Sequence, residues 1–154
     1  MVKWKFDHIG ITVKNLDDVL KFYSKTFEWQ LPKGGVYSKI HSVDLPDYKL
    51  KYAMLSTNIR GPPYIEFFEP AKGPYLKRLE ERGEGAIWHM CIEADNIDEF
   101  YDRVTEMGII PVDRFDKPIK KEEILVAPTG NRLMYLPCEK THGTWIEIIE
   151  RMRR

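Results

Sequence analysis

Hydrophobic and polar positions predict a strand, a helix and three further strands in the first half of the chain. Residues 6–13 alternate between apolar and less apolar side chains, which predicts a half-buried strand with His8 on its less apolar face. Asn15 then suits a helix N-cap, and apolar residues recur at helical spacing as far as about Phe27. Strands are predicted next at 36–43, 49–56 and 64–69.

The second half repeats this order after a connector. A short helix is predicted to begin at Pro74, because proline suits the first turn of a helix. Asn96 follows Asn15 by 81 positions and begins a helix that stops at Met107. Strands are predicted at 87–92, 109–114, 122–127, 132–137 and 144–150. We therefore predict an α+β fold of tandem βαβββ modules in one structural domain, with modules at 1–72 and 86–154 and a connector at 73–85.

The same offset of 81 positions relates two histidines and two glutamates. His89 follows His8 by 81 positions, and Glu147 follows Glu66 by 81. A single histidine in a strand is usually a core or surface residue, but a shared offset for both residue types favours one joint site. Two imidazoles and two carboxylates suit a divalent ion such as Zn²⁺, Co²⁺, Ni²⁺ or Fe²⁺. Alternation places all four side chains on the less apolar faces of their strands.

Composition narrows the classes of partner. The 154 residues include 24 basic and 24 acidic side chains, so the zero net charge favours neither nucleic acid nor an anionic membrane. No apolar run approaches the roughly 20 residues that span a bilayer. The first residues lead directly into a strand, so we expect no signal peptide. Because Cys91 and Cys138 are too few and too far apart for a disulfide scaffold, we expect a reduced, cytoplasmic setting. Residues 151–154, three of which are arginines, are expected to form a solvated tail.

The remaining candidate residues carry weaker signals. Cys91 lies two positions from His89 and would suit a nucleophile, although an inert buried thiol is the more common role. We expect His41 at the surface. His142 precedes the last strand and is a candidate for the mouth of a pocket. The chain contains no glycine-rich phosphate-binding motif and no nucleophile-elbow motif.

Four stretches resemble the vicinal oxygen chelate (glyoxalase/bleomycin resistance/dioxygenase) superfamily: F-D-H-I-G-I-T-V-K-N-L-D-D, Y-I-E-F-F-E-P, W-H-M-C-I-E-A-D-N-I and G-T-W-I-E-I-I-E. Within it, the chain most closely resembles the methylmalonyl-CoA epimerases, through the runs E-F-F-E-P, L-E-E-R-G-E-G and H-M-C-I-E-A-D-N-I. The resemblance implies a cupped mixed sheet around one divalent metal ion, which could be Co, Zn, Ni, Mn or Fe. By motif position, the implied ligands are His8, Glu66, His89 and Glu147.

The resemblance also implies an activity. In such enzymes a proton is removed next to a thioester or carbonyl carbon, and the metal stabilises the enolate. The implied substrate is a small molecule, an acyl-CoA or a glutathione thioester, and the implied assembly is a homodimer. An isomerase of the lactoylglutathione lyase (glyoxalase I) type is an alternative. An iron-dependent dioxygenase and a non-catalytic small-molecule-binding protein of the same fold are two others.

Three positions depart from the epimerase pattern. Trp88 replaces a second histidine before the metal histidine, and the third strand lacks the carboxylate that is a proposed base in the epimerases. The last hairpin lacks the usual H-P-K. We therefore take Glu147 as the candidate catalytic base, and Tyr52 and His142 as candidate substrate-binding residues.

Overall fold

The structure is a computed structural model that describes residues 2–34, 37–57, 62–127 and 129–152. It divides into a central unit, His8–Trp88, and a terminal unit, Met1–Asp7 with His89–Arg154. The elements are β1 (Trp4–Thr12), α1 (Leu16–Phe27), β2 (His41–Leu45), β3 (Tyr48–Ser56), β4 (Tyr64–Lys72), α2 (Pro74–Arg82), β5 (Ile87–Ala94), α3 (Ile97–Glu106), a 3₁₀ turn (Lys121–Glu123), β6 (Leu125–Val126), β7 (Arg132–Leu136) and β8 (Trp145–Glu150). This order confirms an α+β fold with the βαβββ sequence twice.

The strands of the central unit lie in the order β2-β3-β4-β1, with β1 parallel to β4 and the other pairs antiparallel. One face of these strands packs on α1 through a buried core of Val13, Leu16, Ala53, Leu55 and Phe67. The opposite face carries His8 and Glu66, as the alternation predicts. We call it the ligand face of the central unit.

The terminal unit has strands in the order β5-β8-β7-β6, with β5 parallel to β8. Its core lies between one face of these strands and α3, and contains Ala94, Ile97, Val104, Met134 and Ile148. His89 and Glu147 lie on the other face, which we call the ligand face of the terminal unit. Each unit thus has one face covered by a helix and a ligand face.

The two long helices begin with the same hydrogen bonds. The side chain of Asn15 accepts from Asp18 N at 3.1 Å, and that of Asn96 accepts from Glu99 N at 3.0 Å. These N-caps satisfy N–H groups that have no partner within the helix. They confirm both helix starts that the sequence predicts.

A glutamate at the end of a strand also holds each helix. Glu69 accepts from the backbone N of Leu16 at 2.8 Å, and Glu150 accepts from that of Ile97 at 3.3 Å. Both glutamates follow a ligand-face glutamate by three positions, so they point to the helix side of the sheet. A carboxylate is favourable at a helix N-terminus because the peptide dipoles make that end positive.

A cation on the neighbouring strand pairs with each of these helix-binding glutamates. Lys51 Nζ lies 3.4 Å from Glu69, and Arg132 Nη1 lies 3.2 Å from Glu150. Lys51 and Arg132 are again 81 positions apart. The hydrogen bonds that Arg132 donates to Asp98 also hold the pKa of Asp98 below its usual range, although partial burial opposes this shift.

Three predicted strands are corrected. The strand predicted at 36–43 lies at His41–Leu45, because the pairing of β2 with β3 begins at His41 and ends at Leu45; Val36 lies outside the described residues. Residues 109–114 form isolated bridges through Val112 and no named strand, since Pro111 lacks an N–H and Asp113 makes a turn. The strand predicted at 122–127 shrinks to Leu125–Val126, because the Glu123 side chain accepts from Lys120 N and closes a 3₁₀ turn.

The connector helix α2 begins at Pro74, as predicted, and continues to Arg82. Gly73 precedes it with φ +89°, and a side chain there would lie 2.5 Å from the carbonyl oxygen of Asp47. Only glycine therefore fits where the start of α2 meets the β2–β3 turn. None of the helices in the described ranges is long and apolar enough to cross a membrane.

Candidate metal centre

The central unit brings His8 and Glu66 together on its ligand face. His8 Nε2 lies 3.1 Å from Glu66 Oε2. The parallel register of β1 and β4 sets Gly10 opposite Glu66, so His8 is two residues away along β1 and points to the same side. His8 is 3% exposed and Glu66 7%, which makes this a buried imidazole–carboxylate pair.

The terminal unit contains an equivalent pair. His89 Nε2 lies 3.0 Å from Glu147 Oε2, and the two residues are 2% and 7% exposed. In the parallel register of β5 and β8, Cys91 stands opposite Glu147, as Gly10 stands opposite Glu66. The offset of 81 positions therefore corresponds to the same geometry twice.

The donor atoms of each pair fit a divalent metal ion. Two neighbouring donors that each bind one ion at roughly 2.0–2.2 Å lie about 3 Å apart, as the His and Glu atoms do here. A buried carboxylate is costly unless it is paired or binds a metal. The same distance also suits a histidine–carboxylate hydrogen bond. The residues thus fit a metal, and a measurement of bound metal separates the two cases.

Different residues flank the two glutamates. On the antiparallel neighbour strand, Met54 stands opposite Glu66, whereas Tyr135 stands opposite Glu147. Tyr135 is 4% exposed, and the centre of its ring lies 6.5 Å from that of His89 in an edge-on contact. Sequence reasoning missed Tyr135, because its counterpart in the repeat is a methionine. The register of β7 on β8 would have identified it.

The structure places Tyr52 on the ligand face of the central unit. Tyr52 is paired with Phe68, which lies two residues from Glu66 on the same side of β4. Its ring stacks on His41, with centroids 4.9 Å apart and an angle of 16°. His41, expected at the surface, is half-buried by this contact. Lys51 points to the opposite face, so the third strand offers a phenol to the ligand face.

His142 lies in the exposed turn before β8, with φ +57°. Within the described ranges, no hydrogen bond, ion pair or ring contact joins it to His89 or Glu147, so its role in substrate binding stays a prediction. Cys91 is fully buried and forms no disulfide.

The first residue of the expected C-terminal tail is part of the folded structure. Arg151 Nη2 lies 2.7 Å from Asp7 Oδ2, and Asp7 is 1% exposed. Arg151 Nε also donates to Glu93 at 3.0 Å. The expectation of a solvated tail is therefore wrong for Arg151, because the buried carboxylate of Asp7 needs a cation. Arg153 and Arg154 lie outside the described residues.

Comparison with known proteins identifies similar sequences and structures. The family model described as "Glyoxalase/Bleomycin resistance protein/Dioxygenase superfamily" matches residues 7–126. A search of curated proteins found no match. A solved structure of a hypothetical protein from Bacillus halodurans C-125 is 28% identical, with a TM-score of 0.75, and the match covers 99% of this chain and 97% of that chain.

Methylmalonyl-CoA epimerases are also similar in structure. The enzyme from Streptomyces coelicolor, in complex with 2-nitronate-propionyl-CoA, is 22% identical with a TM-score of 0.72, and the match covers 95% of this chain and 93% of that one. The enzyme from Mycobacterium tuberculosis is 20% identical with a TM-score of 0.75, covering 96% and 88%. At these identities the likeness shows the fold.

Proposed function

Because the chain belongs to the glyoxalase/bleomycin resistance protein/dioxygenase superfamily, we propose that it is a metal-dependent isomerase or epimerase. It would remove a proton next to a thioester or carbonyl carbon of a small-molecule substrate. The observation that carries this proposal is the buried His–Glu pair that occurs in each unit, with donor distances of 3.1 and 3.0 Å. The specific reaction that we propose is the epimerisation of methylmalonyl-CoA. The similarity of fold to methylmalonyl-CoA epimerases supports it.

We propose that His8, Glu66, His89 and Glu147 hold one divalent metal ion. The proposal that the two pairs share one ion rests on the repeat and on the superfamily. When bound, the ion would act as a Lewis acid that stabilises negative charge on a substrate oxygen. A borderline ion such as Zn²⁺, Co²⁺, Ni²⁺, Mn²⁺ or Fe²⁺ suits this mixture of nitrogen and oxygen donors.

Glu147 is the proposed base. Its carboxylate is 7% exposed, and one oxygen lies 3.0 Å from His89. A carboxylate has two oxygens, so Glu147 can keep its contact with His89 while the other oxygen accepts the substrate proton. Tyr52 would hold a substrate oxygen through its hydroxyl group, since the third strand has no carboxylate on its ligand face. His142 would contact the substrate from its exposed turn.

The donor set weighs against a dioxygenase with a facial triad, which uses two histidines and only one carboxylate. The same donor set does not distinguish an epimerase from an isomerase of the glyoxalase I type, so the test includes a substrate of each enzyme. A homodimer and a cytoplasmic location stay predictions.

Metal analysis tests the site first. We expect the protein, purified without added metal, to contain about one divalent ion per chain, and His89→Ala to lose most of it. Glu150→Gln changes a glutamate on the opposite face of β8 and should retain the ion. Absence of metal from the wild type would reject the site. Equal metal content in all three proteins would reject it as well.

Hydrogen–deuterium exchange then tests the reaction. Methylmalonyl-CoA in D₂O should gain deuterium at its α-carbon in the presence of the wild type, and Glu147→Gln should reduce the rate by at least a hundredfold. The hemithioacetal of glutathione and methylglyoxal is assayed in parallel. Activity on the hemithioacetal alone would replace the epimerase by the glyoxalase I alternative. Activity on neither, with metal bound, would favour a binding protein.

A further inference from the structure

The two His–Glu pairs differ in the side chain that stands opposite each glutamate. Tyr135 stands opposite Glu147 in the register of β7 on β8, whereas Met54 stands opposite Glu66 in that of β3 on β4. Tyr135 is 4% exposed and Met54 1%, so both are buried. A methionine side chain has three rotatable bonds and adapts to its surroundings, whereas a tyrosine is a rigid ring on two. The two glutamates therefore have neighbours of different rigidity.

The backbone brings the side chain of Tyr135 close to Glu147. The backbone N of Tyr135 donates to Val112 O at 3.0 Å, and its carbonyl oxygen accepts from Val112 N at 2.8 Å. Both groups of one strand residue point to the same neighbour, so those of Tyr135 point away from β8. Tyr135 and Glu147 are therefore a non-hydrogen-bonded pair, in which the Cα atoms lie about 4.5 Å apart and the side chains are closer than in the other kind of pair.

Two buried aromatic side chains border the ring of Tyr135. Its centre lies 5.5 Å from that of Trp145, at an angle of 52°, and 6.5 Å from that of His89, at 72°. Trp145 is 1% exposed and His89 2%, so the ring is packed on both sides and has little room to rotate. The imidazole that it borders is the one that lies 3.0 Å from Glu147.

We propose that Tyr135 is a positioning residue, whose ring holds His89 and Glu147 in the geometry that proton transfer requires. The proposal rests on the function proposed above and explains why Glu147, and not Glu66, is the base. A base must lie within reach of the proton, and a displacement of about 1 Å can cost a hundredfold in rate. The contacts with His89 and Trp145 are ring contacts, so phenylalanine should replace Tyr135 and methionine should not.

Tyr135→Phe and Tyr135→Met test this distinction in the deuterium-exchange assay with methylmalonyl-CoA. Tyr135→Phe should keep kcat within about threefold of the wild type, whereas Tyr135→Met should lower it about ten- to a hundredfold and leave KM unchanged. Both variants should bind as much metal as the wild type. Phe100→Met is the matched control, because Phe100 packs on the α3 side of the terminal unit. It also loses a ring but should keep the wild-type kcat.

NMR of the metal-free protein gives a second measurement, which needs neither metal nor activity. The chain has four histidines, and His89→Gln identifies the ring signals of His89 in ¹³C-labelled protein. These signals should be sharp in the wild type and in Tyr135→Phe. They should be broadened in Tyr135→Met, because the imidazole then adopts several orientations.

Two results would overturn the proposal. One is a set of His89 signals as sharp in Tyr135→Met as in the wild type. The other is an equal loss of kcat in Tyr135→Phe and Tyr135→Met, which would assign the effect to the hydroxyl group. A wild type without metal or exchange would reject the proposed function, and the NMR comparison would still decide whether Tyr135 orients His89.

Discussion

Metal-dependent stability gives the sharpest test of the His–Glu pairs. A ligand that binds only the folded state stabilises it by about 4.1 kcal/mol at a thousandfold excess over its Kd. For a chain of this length, 1 kcal/mol corresponds to roughly 2–4 °C in Tm. A suitable divalent ion should therefore raise the Tm of the metal-free wild type by about 8–16 °C.

Glu147→Gln and Glu150→Gln form a matched pair for this test. Both change a glutamate of β8 to its isosteric amide, but Glu147 faces His89 and Glu150 faces α3. Loss of one ligand that weakens affinity about a hundredfold removes about 2.7 kcal/mol of stabilisation at the same metal concentration. Glu147→Gln should thus lose about 5–11 °C of the metal-induced shift. Glu150→Gln should show the full metal-induced rise in Tm, although its Tm without metal should be lower than that of the wild type.

Differential scanning calorimetry of chelator-treated protein, with and without added Zn²⁺ or Co²⁺, measures these shifts. A metal-independent Tm in the wild type would refute the metal site. The pairs would then be hydrogen bonds of the core, and Glu147→Gln would lower stability only through the loss of a buried charged contact, roughly 1–3 kcal/mol. An equal loss of shift in both variants would mean that the metal binds elsewhere.

Two further predictions concern other parts of the molecule. Arg132→Met should lower the free energy of unfolding by about 0.5–1 kcal/mol at pH 7. Because the pKa of Asp98 is lowered in the folded state, this difference should be complete above pH 3.8 and disappear as the pH falls through the folded pKa. Urea unfolding at several pH values between 7 and 2 measures it. Asn15→Ala and Asn96→Ala should each cost about 1 kcal/mol by the same method, and a loss in only one of them would contradict their equivalence as caps.

Neighbouring residues were sufficient to predict the helices and the symmetry between the two halves of the chain. The N-caps Asn15 and Asn96 act within one turn of chain, so their helices follow from neighbouring residues. Alternation within β1 and β8 determined which face His8 and Glu147 occupy, since side chains of a strand alternate regardless of its partner. The repeat also predicted which glutamate lies near each histidine, without knowledge of how the strands are aligned.

Strand predictions failed where a side chain accepts a hydrogen bond from a nearby backbone N–H and forms a turn in place of a paired strand. The residues at 109–114 are apolar enough for a strand, but Pro111 cannot donate and the Asp113 side chain accepts from Phe115 N at 2.8 Å. The strand predicted at 122–127 is shorter for the same reason, because the Glu123 side chain accepts from Lys120 N. An apolar pattern therefore predicts burial more securely than it predicts a paired strand.

Contacts between distant segments of the chain depend on the fold and could not be predicted from local patterns. The register of β7 on β8 sets Tyr135 opposite Glu147, and a shift of one residue would have turned its ring to the other face. Arg151 meets Asp7 across 144 positions, and Trp4 shares a cleft with Met152. No local pattern encodes such contacts, because they depend on which strand ends the fold brings together. The sequence thus determined which histidines and glutamates form pairs, and the fold determined the residues that surround them.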